Sequence, residues 1–124
     1  MRPGLNGSRQ LERTILAISA NLQRKDLGPI EEAETFKKLI DLGMNGNEIA
    51  KTIGRSHSFI FSRMRMLKLP VPVQDLFQAR KLPIDEGMLN ELYHLDAEMQ
   101  IFIAKRGAKE KLSYKQITGL ADVS

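Results

Sequence analysis

Asn47–Leu67, NEIAKTIGRSHSFIFSRMRML, decides how this chain is read. Ala50 and Gly54 stand four residues apart and Ile60 six further on, with Ile49 and Ile53 on the same side, so two short helices can cross closely around a turn. Gly54 can take the positive φ that a tight turn past a helix end needs. Ser56 is placed to cap the second helix, its oxygen accepting an amide from the first turn. If that helix runs from His57 to Leu67, advancing about 100° per residue, Ile60, Met64 and Leu67 form one apolar stripe for the core. Ser58, Ser62 and Arg65 fall on the opposite side, with His57, Phe61 and Arg63 on the flanks. This is the outline of a helix-turn-helix whose second helix offers its outer face to a major groove.

Charge points the same way. Lys51 to Lys68 holds five basic residues (Lys51, Arg55, Arg63, Arg65, Lys68) and no acid, whereas Ile30 to Glu48 holds five carboxylates against two lysines. A basic patch centred on a candidate recognition helix is the footprint expected of phosphate neutralisation. The alternative is a solvated helix that is merely basic.

At 124 residues the chain fits one domain with a modest core. A net charge of +4 and a pI of about 9.5 favour a polyanionic partner. With no cysteine, disulfides and thiolate-ligated zinc or iron–sulfur sites are excluded. No apolar run reaches a membrane span's length, so no membrane partner is expected. The opening MRPGLNGS lacks the apolar segment of a signal peptide. Residues 1–8 are read as a flexible leader or tag, and 9–124 as one domain.

Outward from the motif, Leu11, Ile15, Ile18 and Leu22 give a helix from Gln10 to Leu22 one apolar face. Lys25 to Gly28 breaks it. Pro29 suits the first turn of a helix through IEEAETFKKLIDL that stops at Gly43, with early glutamates and late lysines matched to its dipole. After the motif, Pro70 and Pro72 predict a stiff elbow, then helices over Val73–Ala79, Ile84–Tyr93, Asp96–Lys105 with Met99, Phe102 and Ile103 buried, and Tyr114–Leu120 capped by Ser113. Strand alternation is absent. The expected fold is all-α, a bundle of about seven short helices containing a helix-turn-helix.

The segments NLQRKDLGPIEEAETFKKLIDLG, NEIAKTIGRSHSFIFSRMRMLKLP and VQDLF, in that order, resemble the central DNA-binding domain of the ParB family of chromosome and plasmid partition proteins. The resemblance is strong over about residues 17–80 and extends loosely to the end. It implies binding of centromere-like or operator duplex DNA, with the second motif helix reading half-sites of a palindromic site in a homodimer. Cytoplasmic location on a nucleoid or plasmid, and a partition ATPase as partner of the full-length protein, are also implied. Relatives carry an N-terminal CTP-binding domain and a C-terminal dimerisation domain, both expected to be absent here. Of the nucleotide pattern only Ala20-Asn21-Leu22-Gln23-Arg24 remains, with Asn21 and Arg24 as residual matches. Ala20 stands where the family usually has a metal-binding glutamate, so neither a cofactor nor CTPase activity is expected. Arg55-Ser56-His57-Ser58 replaces a common Lys-Ser-Arg-Ser, and Gly87-Met88-Leu89-Asn90 a common Gly-His-Ala-Arg. A different cognate site, as in plasmid, phage or repressor branches, is therefore expected.

Base contacts are expected from His57, Ser58 and Ser62, and phosphate contacts from Lys51, Arg55, Arg63, Arg65 and Lys68. Ser56 joins this set at the helix start, and Asn47 offers its side chain or amides to a phosphate. Capping or solvation remains the alternative for the serines and for Asn47. His57 and His94 lack the carboxylates or cysteines that would make either a metal site. Phe61 has two readings, a thymine-methyl contact or a core residue. Two further functions stay open: a plasmid or phage repressor outside partition, and a protein-interaction adaptor using the helices from Asp96 onward.

Overall fold

The computed structural model describes residues 8–110 and Gly119. Seven α-helices lie among them: α1 (Ser8–Asn21), α2 (Pro29–Asp41), α3 (Gly46–Ile53), α4 (His57–Arg65), α5 (Val71–Gln78), α6 (Glu86–Tyr93) and α7 (Ala97–Glu110), with a 3₁₀ turn over Met66–Lys68 after α4. No strand occurs among the described residues. The all-α expectation therefore holds. Helix α1 begins at Ser8, inside the stretch set aside as leader. The expected Tyr114–Leu120 helix lies outside the described residues except for Gly119.

Two apolar cores share α2 between them. One, beneath the helix-turn-helix, gathers Phe36, Leu39, Met44, Ile49, Ala50 and Ile60, with Ile15, Ile18 and Leu22 of α1 packed against it. The other gathers Ile30 with Met66, Leu69, Val73, Phe77, Leu82, Met88, Leu89, Leu92, Ile103 and Ala104. Leu67, expected on the inward stripe of α4, is only half-buried, while Met66 is fully buried. Beyond Arg65 the chain leaves the first core, and Met66 and Leu69 join the second with residues of α5, α6 and α7.

Three boundaries differ from the sequence reading. Helix α5 starts at Val71, with Pro70 as its cap and Pro72 inside the first turn. The amide that Pro72 lacks is one the first turn leaves unbonded anyway, so no elbow is forced. Helix α6 starts at Glu86 because Asp85 accepts a hydrogen bond from the Met88 amide at 3.1 Å. Helix α7 extends to Glu110 and buries Gln100, Ile103, Ala104 and Gly107, leaving Phe102 51% exposed. Gln100 belongs inside because its amide donates to the Leu92 carbonyl at 2.8 Å.

The start of α2 is held from a distance. Gly28 has no side chain to cap it, and Gln78 of α5 takes over: its Oε1 accepts from the amides of Ile30 (2.9 Å) and Glu31 (3.1 Å). Its Nε2 donates to Glu31 Oε1 at 2.6 Å. Arg80, with a left-handed φ of 60°, donates to the Leu27 carbonyl at 2.9 Å. The end of α5 thus grips the α1–α2 elbow.

Candidate nucleic-acid interface

Local chemistry sets the motif. Asn45 caps α3 in a reciprocal box, its Oδ1 accepting from the Glu48 amide (2.9 Å) while its own amide donates to Glu48 Oε1 (3.1 Å). Asn47 is therefore not the cap, because the Asn-x-x-Glu spacing favours Asn45; it stands exposed in the first turn of α3. Gly54 closes the helix at φ 70°, ψ 32°, its amide bonding back to the Ala50 carbonyl. Ser56 caps α4 by accepting from the Phe59 amide at 3.1 Å. Its hydroxyl oxygen is engaged by that amide.

Phe59, a position passed over in the sequence reading, organises the basic residues. Its ring meets Phe36 of α2 edge-on, with centroids 6.2 Å apart. The guanidiniums of Arg55 and Arg63 both lie over it, 4.3 Å and 4.5 Å from its centroid. Arg63 Nε also donates to Glu32 Oε1 at 2.9 Å, and the two side chains are only 17% and 22% exposed. Arg63 is thus turned toward α2 rather than outward. The spacing of Arg55, Phe59 and Arg63 at intervals of four was the available signal for Phe59; Glu32 carried none.

Arg65 is also engaged. Its guanidinium lies 3.9 Å from the Tyr93 ring centroid, and Nη1 donates to Asn90 Oδ1 at 3.3 Å, tying the end of α4 to α6. The Tyr93 hydroxyl is buried without a hydrogen-bond partner among the described residues. Burial pushes it up to about 12, the nearby positive charge of Arg65 pulling the other way.

What remains outward is a compact set. Ser58 is exposed and Ser62 half-buried on the outer side of α4, flanked by exposed Arg55, His57 and Phe61. Lys51 at the end of α3 and Lys68 on the 3₁₀ turn after α4 are also exposed. Phe61 is 45% exposed, so the core reading for it fails. It borders a groove of about 520 Å³ lined also by Lys37, Met64, Arg65, Leu67 and Lys68. Asn21 and Arg24 line a separate polar pocket of about 140 Å³ between α1 and α2. There Arg24 is tied to Asp26 (3.2 Å) and Glu31 (3.5 Å), and its hydrogen bond holds the Asp26 carboxyl below the usual carboxylate range.

A capped helix, a left-handed glycine turn and a second capped helix with its outer face free define a helix-turn-helix domain. The family model described as ParB HTH domain matches residues 25–123, and the chain belongs to that family. A probable chromosome-partitioning protein ParB of Neisseria meningitidis serogroup A is 36% identical over 109 residues, 86% of this chain and 37% of that protein. The chromosome-partitioning protein Spo0J of Thermus thermophilus is 30% identical over 107 residues, 86% of this chain and 39% of its own length. A nucleoid occlusion protein of Listeria monocytogenes serotype 4b is 35% identical over 107 residues, 85% of this chain and 37% of that protein. The chain thus spans less than two fifths of these relatives. No helix among the described residues is long and apolar enough to cross a membrane.

Proposed function

We propose that this domain binds double-stranded DNA sequence-specifically, as the reading head of a ParB-like protein acting in chromosome or plasmid segregation or the repression associated with it. The observation that carries this is the outer face at and beyond the Ser56-capped start of α4, where Arg55, His57 and Ser58 are exposed and Ser62 half-buried, with exposed Lys51 and Lys68 on the segments before and after it. His57, Ser58 and Ser62 contact base edges, and Lys51, Arg55 and Lys68 neutralise phosphates. Asn47 and the first amides of α3 approach the backbone. Arg63 and Arg65 act chiefly by holding α4 against α2 and α6.

The domain works without catalysis or a cofactor, as one half of a homodimer on a palindromic site, close to the nucleoid or a plasmid. A partition ATPase is a partner for the longer protein. Selection of bound duplexes from a random pool, followed by titration at two salt concentrations, tests the reading. A palindromic consensus with steeply salt-dependent affinity is expected; no enriched sequence and salt-insensitive binding would overturn it.

A further inference from the structure

Phe61 is 45% exposed, although it is a large apolar side chain on a helix whose Ile60 is fully buried. The ring is nevertheless held in place. His57, one turn earlier, lies against it with centroids 4.6 Å apart and planes tilted by 46°. Both rings sit over Gly46 at the start of α3: a Cβ there would come within 2.7 Å of Phe61 Cε2 and 2.9 Å of His57 Cδ2 and Nε2. The absence of a side chain at Gly46 therefore makes a seat for two aromatic rings. Phe61 is three residues from Ser58 and four from Arg65, so it borders the outer face of α4.

Among the described residues the groove that Phe61 edges is lined by Arg65, Lys68 and Lys37, the last paired with Asp41 at 3.2 Å, so its charged lining is basic and suits a polyanion. In a major groove the only apolar group on a base edge is the thymine methyl. A ring that can neither donate nor accept a hydrogen bond at its edge discriminates by covering that methyl. Against cytosine, the same ring would strip water from an exocyclic amine and return nothing.

The geometry points to Phe61 as a thymine reader, packing on the 5-methyl group in the major groove, with His57 and Gly46 fixing the ring. This rests on the duplex-binding reading above. The test replaces each thymine of a selected duplex, one at a time, by deoxyuridine, which removes the methyl and keeps the hydrogen-bonding pattern. The intact chain should lose about fourfold in affinity at one thymine per half-site, the worth of one buried methyl. That sensitivity should vanish in Phe61→Ala.

Gly46→Ala leaves Phe61 itself unchanged and should reduce the same sensitivity by dislodging the rings. Circular dichroism and melting of both variants should match the parent. Uniform tolerance of deoxyuridine by the parent chain, or sensitivity that persists in Phe61→Ala, overturns this inference while leaving duplex binding intact. Failure to select any duplex overturns both.

Discussion

Arg63 Nε and Glu32 Oε1 lie 2.9 Å apart, joining α4 to α2 across 31 residues of sequence. A guanidinium in that position supports the orientation of the outer face more than it supplies charge. Arg63→Ala should lower the stability of the fold by about 2 kcal/mol, the usual loss for a partly buried charge-assisted hydrogen bond. It should also weaken binding to all duplexes alike. Glu32→Gln separates the two roles: freeing a phosphate-binding arginine would raise affinity, whereas unseating α4 lowers both affinity and melting temperature. The second outcome is expected from paired denaturation and binding measurements.

Lys51 and Lys68 are exposed cations on the segments before and after α4. Alanine at either should weaken specific and non-specific duplexes by similar factors and lower the slope of log affinity against log salt by about one. An unchanged slope would remove that lysine from the interface.

Gln78 replaces the cap that Gly28 cannot provide, so two opposite changes should give one result. Gln78→Ala leaves two amides of α2 unbonded and should cost about 1 kcal/mol, as loss of an N-cap does. Gly28→Ala introduces a Cβ within 2.3 Å of Gln78 Nε2 and should displace the same side chain. Combined in one chain, the changes should cost less than their sum by denaturant unfolding.

Tyr93 carries a hydroxyl with no partner among the described residues, and Tyr93→Phe should be stabilising by about 1 kcal/mol, since an unbonded buried hydroxyl costs that much or more. Burial holds its proton up to about 12 in the folded chain, against 10.0 ordinarily. The folded state therefore binds this proton more tightly, and its contribution is complete below pH 10 and is lost as pH rises toward about 12. Unfolding measured across that window should lose this component in Tyr93→Phe.

Gly54 at φ 70° is the turn the sequence predicts, and Gly54→Ala should cost about 1–2 kcal/mol from the left-handed backbone alone. Such features were legible because each is decided within a few residues: Gly54 by its neighbours, Ser56 by the Phe59 amide. Asn45 was legible too, since Asn-x-x-Glu is visible in the chain, but Asn47 drew the cap two residues too far. The orientation of Arg63 was not legible because Glu32 lies a helix away, and the opposite charges of two distant segments carry no register. Phe61 reads as core by composition. The bare Cα of Gly46 gives the ring a seat that no local pattern marks, and there it stays 45% exposed.

The clasp between Gln78 and the first amides of α2 spans 48 positions of chain. During synthesis on a ribosome, the first amides of α2 therefore lack this partner until α5 has emerged. A truncation stopping after Leu69 would carry every residue of the turn, yet it would lack the clasp and most of the second core. Such a four-helix truncation should melt early and, on the proposed function, grip DNA loosely.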